Sequence, residues 1–374
     1  MVRVAVPRVS GTASGSAEAA FNASLLQQLR TSSHIDLRVH APAVRKLHLE
    51  QGRFFHQAAA TKEAYAMPEE CQTGVAGTAE YGNQGYSLMD GEKESVRFRK
   101  RIDGTAIPAF PPDSDVGTVS GGDAWRPRQF EETVMEAHNQ LEALGRRVLD
   151  GIEAALRAEA GRGPAAGFLS KLLDYGPAAD DTSALPGGAA GKRQAERSNV
   201  TIGITRYMRK GEGVSTRPDD SGEVNKSYQR PGEGLPVGAH TDASILTMVV
   251  SPSQLGLEVF NTPHPMTEEH HRQVLDVYFA ARKGDGEAGG GAAREGSWLP
   301  GFAEDELDTS DDQVDYASPY SDQAVDADEP VNIALMLGDM AVFASGGVLP
   351  SASHRVTCAW PTDVDVRFAL VFSM

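Results

Sequence analysis

The chain has 374 residues, enough for one large domain or two ordinary ones, and 40% of them are apolar, which is sufficient for a sizeable core. With 35 Lys and Arg against 52 Asp and Glu, the formal charge is −17. That balance argues against nucleic acid or an anionic membrane as the main partner, since both select a basic footprint. Eleven acidic residues and no basic one fall in Gly301–Pro330, leaving about −6 for the rest, so most of the excess reads as one solvated acidic segment. The two cysteines, Cys71 and Cys358, make neither a disulfide framework nor a thiolate zinc cluster. They fit core thiols in a reducing, cytoplasmic setting. No window approaches 18 consecutive apolar residues, so no membrane-spanning helix is expected.

The N-terminus carries two arginines and no acid before Glu18, a faint echo of a transit peptide. The alternation of Val2, Val4 and Val6 reads instead as an opening strand of a mature chain. Helical spacing follows in Phe21–Arg30, Ala43–Tyr65 and Phe130–Ala160; in the last, Val134, Ala137, Leu141, Leu144, Val148, Ile152 and Leu156 form one stripe. Gly161–Gly167 is a short break, and Gly176–Arg197 reads as a flexible surface loop. Strand-like runs dominate the second half: Thr201–Met208, Ile245–Val250, Leu257–Phe260, Val331–Phe343 and Val366–Phe372. Between them, Ala281–Pro330 opens with GDGEAGGGAAREG and turns acidic, the pattern of a disordered insert, with Trp298 and Leu299 as a short ordered island. Helices first and strands second point to an α+β chain ending in an antiparallel sandwich or barrel.

The most informative segment is Gly238-Ala239-His240-Thr241-Asp242-Ala243-Ser244-Ile245-Leu246-Thr247. Along a strand, His240 and Asp242 share one face and Thr241 takes the other, so an imidazole and a carboxylate can grip one ion. A third ligand must come from elsewhere. H-x-D alone is a cheap pattern. The chain has a second copy, His34-Ile35-Asp36, in its helical half with no preceding glycine, and there it reads as surface polar residues opening a short strand. The copy at 240 is set apart by what lies downstream. Ser353-His354-Arg355-Val356 follows the turn Ser345-Gly346-Gly347, and Arg367 sits on the same strand face as Ala369 and Val371. A lone Arg on an apolar face is costly unless it meets an anion. Two His and one carboxylate leave about three metal positions open, the pattern of non-haem Fe(II) oxygen chemistry rather than of a closed zinc site.

With these residues the sequence resembles the plant- and fungal-type Fe(II)/2-oxoglutarate-dependent dioxygenases, the isopenicillin N synthase-like small-molecule branch. The resemblance rests on HTDASILT (His240–Thr247), GLEVF (Gly256–Phe260), LGDMAVFASGG (Leu337–Gly347), SASHRV (Ser351–Val356) and RFALVF (Arg367–Phe372). Weaker echoes lie in VAVPRVSG (Val4–Gly11), GRFFHQAAATKEAY (Gly52–Tyr65), GNQGYSLMDGEKESVRF (Gly82–Phe98) and ITRYM (Ile204–Met208). The resemblance implies a double-stranded β-helix, or jelly-roll, core across residues 166–374, wrapped by an N-terminal helical region at 1–165. Insertions would lie near 176–197 and 281–330.

It further implies that His240, Asp242 and His354 bind Fe(II), and that Arg367 pairs with the distal carboxylate of 2-oxoglutarate. With O2, oxidative decarboxylation to succinate and CO2 would then be coupled to hydroxylation of a small organic substrate. The family's usual motif is Arg-x-Ser, whereas this chain has Arg367-Phe368-Ala369. The missing hydroxyl is worth roughly 0.5–1.5 kcal/mol. Tyr207 is a candidate replacement donor, against the plainer reading of a strand aromatic; Thr247 is another, against a core-strand residue. The alanine also leaves open another carboxylate co-substrate, an iron oxidase that desaturates or closes rings without a keto acid, and a catalytically silent ligand-binding barrel. His264, His270 and His271, and the run Arg97-Phe98-Arg99-Lys100-Arg101, read as solvated surface; Met248, Met336 and Met340 read as core filling. No obligate protein partner is evident.

Overall fold

The structure, a computed structural model, describes residues 3–5, 15–63, 85–89, 93–101, 127–160, 169, 173, 197–208, 237–250, 256–261, 297–300, 330–356 and 366–374. The strands are β1 (Arg3–Ala5), β2 (His34–Val39), β3 (Gly85–Met89), β4 (Lys93–Arg101), β5 (Arg197–Met208), β6 (Val237–His240), β7 (Leu246–Val250), β8 (Leu257–Asn261), β9 (Ser297–Pro300), β10 (Val331–Leu337), β11 (His354–Val356) and β12 (Val366–Ser373). The helices are α1 (Gly15–Ser32), α2 (Pro42–Phe55), α3 (Ala59–Glu63), α4 (Pro127–Ala160) and α5 (Asp339–Ala344).

Among these residues one sheet runs β1-β2-β10-β7-β12-β5-β4-β3 and a smaller one runs β6-β11-β8-β9. All pairs are antiparallel except β1 with β2. From β5 onward the chain switches sheets at every step except β8 to β9: β5, β7, β10 and β12 join the large one, and β6, β8, β9 and β11 the small one. Alternation along each strand divides the core in two. Leu246, Met248, Val250, Phe368, Leu370 and Phe372 point to the helices. Tyr207, Val249, Met336 and Ala369 point the other way and pack with Leu257, Val259 and Val356 of the small sheet.

The helix stripe is confirmed, because Val134, Ala137, Leu141, Val148 and Ile152 of α4 are buried. The Phe130 ring stacks on Phe54 of α2 at 5.5 Å, and Pro42 opens α2 where its missing N–H costs nothing. Among the described residues no helix is long and apolar enough to cross a membrane.

Several expectations are corrected. The run 331–343 is not one strand: β10 stops at Leu337, and Gly338 leads into α5. The stretch expected as one helix at 43–65 holds two up to Glu63, α2 and α3, broken around His56. Strands β2, β3 and β4 add to the large sheet from the half expected to be helical. His34 and Asp36 are buried rather than on the surface, because β2 is flanked by β1 and β10. Arg99 and Lys100 are buried too, Lys100 reaching Glu142 of α4 at 3.0 Å. Met248 and Met336 are core residues, but Met340 is 44% exposed. Trp298 and Leu299 form part of β9, paired with β8. Cys71, Cys358, the three histidines at 264, 270 and 271, and most of the two long insertions lie outside the described residues.

Candidate metal centre

The register of β6 and β11 sets His354 directly opposite His240. Between them and the next pair, Val356 with Val237, β6 carries one extra residue. Such a bulge re-aims a side chain locally. The two imidazole rings lie 4.2 Å apart. Asp242, two residues past His240, brings Oδ1 to 3.7 Å from His240 Nε2 and Oδ2 to 3.8 Å from His354 Nε2. One ligand atom from each residue falls within 4.8 Å of the others.

The three residues differ in exposure. The His354 side chain is 8% exposed, while Asp242 and His240 are 27% and 36% exposed. The group therefore has a buried back wall and an open front. His354 Nδ1 lies 3.2 Å from the Ala352 carbonyl; donation of its proton there leaves the Nε2 lone pair facing Asp242. Burial pushes the His354 pKa down against the pull of the Asp242 charge, with His240 adding to the lowering. A neutral imidazole is the form that binds metal. Two nitrogens and one carboxylate on one side of a partly open site match the donor set that holds Fe(II), and leave room for further ligands.

The loop after His240 is held from below by α5. The N–H groups of Gly338, Asp339 and Met340 donate to the carbonyls of Ile245, Asp242 and Ser244 at 3.1, 2.7 and 3.2 Å. Helix first-turn N–H groups have no partner within the helix, so the loop satisfies them. Thr241 donates to Asp339 Oδ2 at 3.2 Å, away from the candidate ligands. Burial raises the Asp339 pKa, opposed by bonds from Ser351 and Thr241.

The other expected site residues fall into two groups. Tyr207 is 4% exposed and stands opposite Arg367 in the β5–β12 pairing. Thr247 stands opposite Ser373, six residues further along β12, and its hydroxyl pairs with that of Ser244 at 2.9 Å. Six residues of strand span about 20 Å, so Thr247 and Arg367 do not meet at one carboxylate. Two residues that sequence reasoning passed over share the Arg367 end. Lys93 stands opposite Tyr207, and Thr205, 5% exposed, stands opposite Ala369. The only sequence signal for Thr205 is its place two residues before Tyr207, on the same strand face.

No protein-family model matches the chain, and a search of curated proteins gives no significant match. Solved structures do match. The full-length Neurospora crassa protein crystallised with alpha-KG and 5-formyluracil superposes with a TM-score of 0.54 at 14% identity, covering 96% of this chain and 79% of that one. A 2OG-Fe(II) oxygenase family protein from Caulobacter crescentus gives 0.52 at 16%, covering 100% and 86%. Dioxygenase for auxin oxidation 1 from Arabidopsis thaliana, as its 2-oxoglutarate binary complex, gives 0.51 at 13%, covering 99% and 91%. The chain has the fold of these oxygenases. At such identities the likeness concerns fold alone.

Proposed function

We propose that this chain is a non-haem iron oxygenase that couples decarboxylation of 2-oxoglutarate to hydroxylation of a small organic molecule. The observation that carries the reading is the convergence of His240, Asp242 and His354, from two distant stretches, on one half-open site. In this reading the three residues hold Fe(II), which when bound supplies the activation of O2. The overall balance is substrate R–H, 2-oxoglutarate and O2 going to R–OH, succinate and CO2. The chain's own residues bind and orient. Ala352 fixes the His354 ring, α5 fixes the Asp242 backbone, and Arg367 with Tyr207 receives the distal carboxylate of the keto acid, for which a guanidinium fork is suited.

The alternation of strands between sheets supports a double-stranded β-helix, or jelly roll, at 166–374, with the N-terminal helices of 1–165 packed outside it. The insertions near 176–197 and 281–330 interrupt that core, the second contributing β9. The acidic charge and the partly open site favour a small-molecule substrate of the isopenicillin N synthase-like branch in a cytoplasmic setting. Ala369 favours one second reading, an iron oxidase working without a keto acid.

Oxygen-free titration of the purified protein with Fe(II) and then 2-oxoglutarate tests the reading. A metal-to-ligand charge-transfer band, followed by succinate formation on admitting air, supports the oxygenase. Iron binding without the band favours the oxidase, and a protein that binds no iron is a silent barrel. His240→Ala is expected to lose iron, and His34→Ala to keep it.

A further inference from the structure

Strands β4, β5 and β12 run side by side, and one register row crosses all three. Lys93 is opposite Tyr207, and Tyr207 is opposite Arg367. Residues paired across an antiparallel sheet lie about 5 Å apart and share a face. That face looks between the sheets, because Tyr207 packs with Val259, Val356 and Ala369. The Lys93 ammonium stands 5.5 Å from the centre of the Tyr207 ring. One buried tyrosine is therefore flanked in its row by a cationic residue on each side. A register row that sets a tyrosine between a lysine and an arginine offers a carboxylate two cationic partners. The neighbouring row on the same face pairs Thr205 with Ala369.

We propose that Lys93 is a second cationic anchor for the distal carboxylate of 2-oxoglutarate, acting across Tyr207 from Arg367. This rests on the functional reading above. Lysine suits the role as a mobile point charge, whereas the arginine fork fixes orientation.

Calorimetric titration of Mn(II)-loaded protein without oxygen tests the proposal through binding alone. The ligands are 2-oxoglutarate and 2-oxobutyrate, which share the keto-acid head and differ in the distal carboxylate. Lys93→Met is expected to weaken 2-oxoglutarate about tenfold or more, to leave 2-oxobutyrate within about twofold, and to be rescued by Lys93→Arg. The proposal is overturned if Lys93→Met binds 2-oxoglutarate like the wild type, or if both ligands weaken equally, which would mark a packing role on Tyr207. A wild-type protein that does not prefer 2-oxoglutarate over 2-oxobutyrate overturns the functional reading itself, and this inference with it.

Discussion

The backbone N–H of Asp339 donates to the carbonyl of Asp242 at 2.7 Å, so the short helix after β10 is tied to the loop that presents a candidate iron ligand. The tie requires a glycine before the helix. A Cβ built on Gly338 would lie 2.1 Å from the Ser244 carbonyl oxygen and 2.7 Å from that of Asp242. Both are backbone atoms and cannot swing aside. Gly338→Ala is expected to cost about 1–3 kcal/mol or more of stability and to weaken metal binding at least tenfold by displacing Asp242. Thermal unfolding and Mn(II) dialysis check the two effects. Unchanged metal affinity in a folded variant would uncouple α5 from the site.

Acid should unfold the protein through its buried histidines. Burial, helped by the Lys100 charge, holds the His138 pKa down to about 4, and burial with the Arg45 charge holds His48 to about 3. In the unfolded chain each titrates near about 6.5. Between the folded and unfolded values the unfolded chain binds more protons, so stability rises with pH across that window and is lost on acidification. Each pH unit of separation is worth about 1.4 kcal/mol. Denaturant midpoints should therefore fall from pH 7 to pH 4.5, and fall less in His138→Leu, which removes the imidazole that must stay neutral against Phe372.

Glu94 is the centre of a buried ionic cluster outside the candidate metal site. Its Oε1 takes Lys62 Nζ at 2.6 Å and the Tyr86 hydroxyl at 2.7 Å, and its Oε2 meets Arg206 at 2.6 Å. The cluster ties α3 to β3, β4 and β5, and burial with the adjacent carboxylate raises the Tyr86 pKa. Removing the carboxylate leaves two cations in a poorly solvated place, which typically costs about 3–5 kcal/mol. Glu94→Gln should lose that much in urea unfolding, and Glu94→Leu combined with Lys62→Met should recover part of it. Equal losses in both variants would mean that the charges are better solvated than their burial indicates.

The candidate metal ligands are legible in the sequence because strand alternation turns H-x-D into geometry, and the family resemblance points to His354 as the distant third. The helix stripe at 134–156 is legible because one period runs through it. What escaped the sequence depends on which strands become neighbours. His34 and Asp36 looked like surface because nothing local says that β1 and β10 flank them. The apolar run 331–343 looked like one strand because the loop carbonyls that reward a helix after Gly338 lie about a hundred residues earlier. Thr205 and Lys93 went unnoticed because their meaning lies in register with Ala369 and Tyr207.

Register also decides how the hydroxyl missing at Ala369 can be replaced. Thr205 stands directly opposite Ala369, and both are buried on the face between the sheets. Paired Cβ atoms lie about 5 Å apart, so a hydroxyl on Thr205 can serve nearly the same volume as one on residue 369. If the chain binds 2-oxoglutarate as proposed, Thr205→Val keeps the shape and would remove one hydrogen bond to its carboxylate, worth about 1.5–3 kcal/mol. It should weaken 2-oxoglutarate binding about tenfold or more, with little change for 2-oxobutyrate. Adding Ala369→Ser in that background should restore most of the loss, while Ala369→Ser alone should change affinity only slightly. The reverse pattern, a large gain from Ala369→Ser alone and no loss from Thr205→Val, would leave the carboxylate pocket short of a hydroxyl and favour the oxidase reading.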